Sequence, residues 1–210
     1  MINRNSIMKL NNYNSIIEYL PEVTDGNFLF LQIVRRQKDV KDKKVKESSL
    51  YSKLVYNQKQ LKEIMPMVIA ICESMQARAY INLTPKSNEV LRKNLAKQFV
   101  EEVCENNPTF PARTFNKVVG SLEGKRNERY WMLDIDNDGK HAITLAQYNK
   151  IIEWVQYETV FVDTIQSPHG IHVIVKPFNL KKWKEDNMPD IDIHKNSMGT
   201  ILYYPSTIKE

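Results

Sequence analysis

The stretch that most constrains this chain is residues 129–145, RYWMLDIDNDGKHAITL. An apolar run passes directly into acids at alternate positions, Asp134, Asp136 and Asp138, followed by Gly139. Successive side chains of a strand point to opposite faces, so residues two apart share one. A strand here sets Asp134 and Asp136 side by side at its end and turns Ile135 into the core, with Asp138-Gly139 as the turn that follows. Thr144 and Gln147 then form a Thr-x-x-Gln capping box. It opens a helix to about Gln156, with Tyr148, Ile151, Ile152 and Val155 inward.

The competing reading of the same acids is a calcium loop. Counted from Asp134, the first, third, fifth and sixth positions of such a loop are met by Asp134, Asp136, Asp138 and Gly139. The eighth is His141 rather than an aliphatic residue, and the twelfth is Leu145, where the closing bidentate acid belongs. RYWMLDI is also apolar on both faces, as a buried strand is. Two close carboxylates repel unless a cation compensates them, and all-oxygen ligation favours Mg2+ or Mn2+. The plain structural alternative is a strand end whose acids face solvent.

The other segments set the fold class. IIEYL (16–20) ends a short helix before Pro21, and NFLFLQIVRR (27–36) is a strand delivering Arg35 and Arg36 to its end. Residues 57–76 are helical, with a kink or break expected at Pro66. ARAYINL (77–83) alternates like a strand. Residues 87–105 form an amphipathic helix capped by Ser87, with Leu91, Leu95, Phe99 and Val103 in one stripe. RTFNKVVGSL (113–122) is a short helix or loop. After the capped helix come strands at 158–165, 171–178, 190–194 and 200–205, with a short helix between the second and third. The pattern predicts an α+β chain on a mostly antiparallel sheet, with helices on one face.

A chain of 210 residues can fill one domain of ordinary to large size or two small ones. Its longest apolar run, residues 65–72, is far short of the roughly 20 residues that span a bilayer. No apolar segment marks a signal peptide. Cys72 and Cys104 are too few for a disulfide framework or a cysteine zinc site, so a reducing cytoplasmic setting is expected, with no membrane partner. The net charge of +5 suits a nucleic-acid partner without requiring one. KDVKDKKVKE (38–47) fits either a solvated linker or an arm that touches phosphate.

Three features occur in order: DxD at Asp134 and Asp136, a small-x-His at Gly170 and His172 in SPHGIHVIV, and a hydrophobic-Asp at Asp192 in IDIHKNSMGTILYYPS. Taken together they resemble the archaeo-eukaryotic primase superfamily, the primase-polymerases. The likeness covers about 129–206. Residues 1–128 carry no alignable motif, although their strand–helix–strand–helix order suits the family. Asp190 and Asp192 form a second DxD pair, and the motif favours Asp192 as the third acid. No zinc motif or helicase domain accompanies the match, so the chain is either a minimal enzyme or a catalytic domain of something longer.

The resemblance implies one catalytic domain with an RRM-like antiparallel sheet. It implies template-directed nucleotidyl transfer on single-stranded DNA from nucleoside triphosphates, with a helicase or other replication protein acting in trans. A phage, plasmid or other mobile element is a fitting source for such a chain. Asp134, Asp136 and Asp192 would hold two Mg2+ or Mn2+ ions, and His172 would donate to the nucleotide's phosphates. Ser167, His169 and the Gly170 backbone are candidates for a phosphate-binding loop, and equally for an ordinary turn. Arg35, Arg36, Arg78, Arg113 and Lys117 are candidates for template or triphosphate contacts, with plain surface charge as the alternative for each, and Arg78 is the favoured contact. RNA or DNA as product is left open. Three rival readings stand beside this one. A nicking replication initiator would use Tyr203 or Tyr204 as nucleophile, but its metal-binding histidines sit two apart, whereas His169 and His172 are three apart. A glycosyltransferase shares the DxD but needs a parallel βαβ front. A non-catalytic nucleic-acid-binding module would keep the fold alone.

Overall fold

The computed structural model describes residues 6–7, 9–37, 46–105, 111–124, 129–137, 142–195, 199–205 and 207–208. In chain order the first half contains β1 (Ser6–Ile7), β2 (Leu10–Asn11), α1 (Tyr13–Tyr19), β3 (Asn27–Arg35) and β4 (Ser48–Val55). Then come α2 (Gln58–Met75), β5 (Arg78–Ile81), β6 (Lys86–Ser87), α3 (Asn88–Cys104) and α4 (Pro111–Ser121). The second half contains β7 (Trp131–Asp136), α5 (Leu145–Glu158), β8 (Phe161–Gln166), β9 (Gly170–Val175), α6 (Leu180–Glu185), β10 (Asp192–His194), β11 (Thr200–Tyr204) and β12 (Thr207–Ile208). The chain is α+β with two antiparallel sheets; β1 and β12 form a separate two-stranded ribbon.

The larger sheet has the order β2-β11-β5-β3-β4, with β6 added on β3. Its longest strand, β3, is apolar on both faces, which is the pattern of a strand covered twice. Leu29, Leu31 and Ile33 pack on Leu61, Met65, Val68 and Cys72 of α2. Phe28 and Phe30 on the other face pack on Leu91 of α3 and on Val118, Val119 and Leu122 around α4. Helices therefore cover both faces of this sheet, not one. Pro66 lies inside α2 without ending it, with Met65 before it and Val68 after it packed in the core. The stripe expected on α3 is buried only at its start: Leu91 packs, whereas Val103 is 77% exposed.

The smaller sheet has the order β10-β7-β9-β8. Its elements follow one another as β-α-β-β-α-β, with β9 inserted between β7 and β8, which is a split βαβ arrangement. Alternation divides its residues cleanly. Leu133, Ile135, Val173 and Val175 face Ile151 and Val155 of α5 and Trp183 of α6. Both bonds of the Thr144–Gln147 capping box form, and they fix where α5 begins. Met132, Ile165 and Ile174 face the opposite way, into the core shared with the larger sheet.

The break between the two sheets does not follow the break in motif content. β11, from the motif-bearing half, pairs with β5 and β2 of the larger sheet. Asn12 reinforces the junction: its side-chain amide donates to Gln166 O and to Ile201 O, both at 2.9 Å. Among the described residues no helix is long and apolar enough to cross a membrane.

Candidate functional site

β7 pairs with β10 on one side and with β9 on the other, and the registers align the acids. Asp134 stands opposite Asp192 across the β10–β7 ladder and opposite His172 across the β7–β9 ladder. Asp136 stands opposite Gly170. Directly opposed residues of an antiparallel pair lie on the same face. Asp192, Asp134 and His172 therefore form one row, with Asp136 beside it, on the sheet face that turns away from α5 and α6. The DxD, the small-x-His and the third acid come together at one end of one sheet.

His172 is buried between the sheets. Its Nδ1 lies 3.1 Å from Thr200 Oγ1 on β11, and its Nε2 lies 3.5 Å from Asp134 Oδ1. Burial pushes this imidazole below the ordinary histidine range, with Asp134 opposing the shift and His194 adding to it. His194 is a second imidazole that sequence reasoning passed over. It shares the face of Asp192 on β10, and its Nε2 lies 3.8 Å from Asp134 Oδ2. Hydrogen bonding to Asp134 raises its pKa, burial opposes this, and Asp134 and Asp192 add coulombic support. The signal was present in the sequence: Asp192-x-His194 is a period-two pair like Asp134-x-Asp136. Asp134 is thus held between one imidazole that burial keeps neutral and one that favours its cationic form.

Gly170 has a steric role. A Cβ built there would meet the Ile135 carbonyl oxygen at 1.9 Å, so only glycine lets β9 run this close to β7. The β8–β9 hairpin is closed by the Ser167 N–H donating to Gly170 O at 2.9 Å. That N–H is therefore spent on the turn and is not offered to an anion. The 169 carbonyl accepts from the Asn137 N–H at 2.7 Å and ties the hairpin to the end of β7.

The remaining sequence-predicted residues are placed elsewhere. Arg78 opens β5 on the face of Tyr80, opposite to Ala79 and Ile81, which line the shared core. Its guanidinium lies over the Tyr204 ring, 4.7 Å from the centroid. Thr200 and its ladder partner Ile81 are on the other face, so Arg78 is separated from the carboxylate row by the sheet. Arg35 stands opposite Ser48 in the β3–β4 ladder, and Arg113 and Lys117 are exposed on α4. Asp190 precedes the ladder that holds Asp192. Tyr203 and Tyr204, the nucleophiles a nicking enzyme would need, are both buried, and the Tyr203 hydroxyl donates to Glu73. Asp138, Gly139, His141, the lysines of 38–45 and Ser206 lie outside the described residues.

The chemistry of the donors suits a hard divalent cation: three carboxylates at one strand end, with Asp192 exposed and the Asp134 side chain 30% exposed. As the side chains stand, no group of three acids, histidines or cysteines among the described residues is gathered as a metal site. No family model, no curated protein and no solved structure matches the chain.

Proposed function

We propose that the protein is a template-directed nucleotidyltransferase of the primase-polymerase kind, acting inside the cell on single-stranded DNA. The observation that carries this reading is the shared register of Asp192, Asp134 and His172, with Asp136 facing Gly170. Three segments far apart in the chain, each similar to a primase motif, meet on one face. The split order of the smaller sheet is what an RRM-like catalytic core requires.

Asp134, Asp136 and Asp192 would hold Mg2+ or Mn2+, which when bound supplies a more acidic primer 3′-hydroxyl and neutralises the triphosphate. The chain itself orients Asp134 through the two imidazoles. It keeps the strand end open at Asp192 and closes the back of the site with Thr200 and the shared core. Nucleotidyl transfer asks mainly for positioning and charge stabilisation of this sort. A helicase or other replication protein would deliver the template.

The test is incubation of the protein with single-stranded DNA, labelled nucleotides and Mg2+ or Mn2+, with and without a primer. Incorporation that depends on template and is lost in Asp136→Ala is the expected result. No incorporation by the wild-type chain under any of these conditions would leave the fold without the activity.

A further inference from the structure

The polarity of α3 inverts along its length. In its first half the apolar side faces the protein: Leu91 is buried, and Leu95 packs against the same core as Phe28 and Phe30. In its second half an acid faces inward. Glu102 is buried, with the Thr114 hydroxyl of α4 at 2.9 and 3.0 Å from its two carboxylate oxygens. The apolar residues there face out: Phe99 is 38% exposed, Val100 62% and Val103 77%. Ala96, Val100 and Val103 are spaced i, i+4, i+7, which is one side of a helix, and Phe99 lies at its edge. Apolar side chains gathered on one exposed strip, rather than scattered, mark a contact surface. Charge divides the same helix end to end. Arg92, Lys93 and Lys97 are exposed along its earlier turns, and Glu101 and Glu105 at its C-terminal end. Lys97 lies 3.7 Å from Glu101 of its own helix, an exposed pair that contributes little by itself.

We propose that α3 is a dimerisation helix, and that a second copy of the chain packs on its outer strip in the antiparallel direction. A two-fold contact uses the same patch on both copies, so the patch has to complement itself. α3 meets that requirement in one direction only. Run antiparallel, Ala96 of each copy lies against Val100 of the other, and Arg92 and Lys93 of each face the Glu101–Glu105 end of the other. The two helix dipoles are then opposed as well, which is the favourable arrangement. Run parallel, each charge would face its own copy. A strip with both signs, one at each end, suits a copy of itself better than a partner of one sign. The surface is also free for the purpose. α3 packs on the Phe28–Phe30 face of the larger sheet, whereas the core shared with the smaller sheet lies on the other face. Pairing therefore leaves the Asp134 row open, and the proposal stands independently of the nucleotidyltransferase reading. One helix pair is a small interface beside the roughly 800 Å² per partner of standard complexes, so association is weak and concentration-dependent.

Sedimentation velocity of the full chain over a concentration series reads the association directly. Wild type is expected to pass from monomer to dimer as concentration rises. Val100→Glu and Val103→Glu are expected to weaken association by roughly tenfold or more, because each places an unpaired charge in the contact. Both positions are exposed in the single chain, so circular dichroism and melting of the dilute protein are expected to stay as in wild type. Lys93→Glu with Lys97→Glu sets acid against acid, and Glu101→Lys with Glu105→Lys sets base against base. Each double variant is expected to stay monomeric alone, and the two mixed are expected to form a heterodimer. Direction is read by mild oxidation, with the exposed Cys104 replaced by Ser. An Ala96→Cys chain mixed with a Val100→Cys chain is expected to give a disulfide between the two kinds of chain, since the bond needs Cα atoms within about 7 Å. A wild-type chain that stays monomeric throughout overturns the proposal and leaves the strip to a different partner. A dimer indifferent to Val100→Glu, charge variants that fail to pair when mixed, or chains that cross-link only to their own kind overturn it too.

Discussion

Asp192 and Asp134 are direct partners in the β10–β7 ladder, although a helix, a hairpin and a second helix separate them in the chain. Two carboxylates opposed on one sheet face repel each other and lower stability. Such a pair persists where the charge has a use. Asp190 lies outside the ladder, so the register separates the two members of the second DxD pair. Asp192→Asn is expected to abolish nucleotide incorporation, and Asp190→Asn to leave most of it. Primer-extension rates of the two variants check this, and the reverse order would remove Asp192 from the site.

Asp136→Ala is expected to abolish incorporation and to leave the fold intact. Its side chain shares the face of Asp134 at the last position of β7, so its removal opens no hole in the core. It also takes one charge out of a repelling group, which favours an equal or slightly higher melting temperature without metal. Circular dichroism and thermal melting beside the incorporation assay test both halves. A folded Asp136→Ala protein with wild-type incorporation would exclude the carboxylates as the metal site.

Much of this arrangement is legible in the sequence, because period-two alternation decides which residues share a face. Asp134 with Asp136 and the Thr144–Gln147 cap are readable for that reason. What alternation does not give is pairing. β11 reads as the next strand of the second half, yet it joins the first sheet, since Thr200, Ile201 and Tyr203 find partners in β5. β4 escapes a reading by pattern because SSLYSKLV mixes serines and a lysine among its apolar residues, the mark of a half-covered edge strand rather than a buried one. The role of His172 is legible only as far as its strand. Its contact with Thr200 depends on two sheets meeting, and no local pattern encodes that. Arg78 reads as a cation for the site, but alternation from Ala79 and Ile81 places it on the outer face.

Gly170→Ala is expected to lower stability by about 2 kcal/mol or more, the range for overpacking where backbone has to move. The methyl would meet the Ile135 carbonyl oxygen and crowd Asp136 Cα. A displaced β9 carries His172 with it, so incorporation falls too. Urea denaturation separates this from a phosphate-binding role for the glycine. A fully stable Gly170→Ala protein with weakened nucleotide binding would favour the phosphate loop over the steric account.

Lys86 offers a test of the fold that is independent of the site. It sits on β6 opposite Phe28, is 2% exposed, and its Nζ donates to Val119 O at 2.8 Å in the last turn of α4. Burial lowers its pKa from 10.5 to about 8. The folded state therefore binds fewer protons than the unfolded state between those values, and stability rises with pH across that window. Below pH 8 both states are protonated and the cost of burying the ammonium is constant. Each pH unit between the two values is worth about 1.36 kcal/mol, so the gain across the window is on the order of 3 kcal/mol. Tyr203 and Lys9, whose pKa values are raised in the folded state, contribute the opposite slope at high pH. The clean measure is thus the difference between wild type and Lys86→Met, taken from urea denaturation at several pH values. Wild type is expected to gain on the variant as pH rises from 8 toward 10.5. A difference that stays flat would mean that Lys86 is solvated in the folded protein and that its link to the end of α4 is not formed.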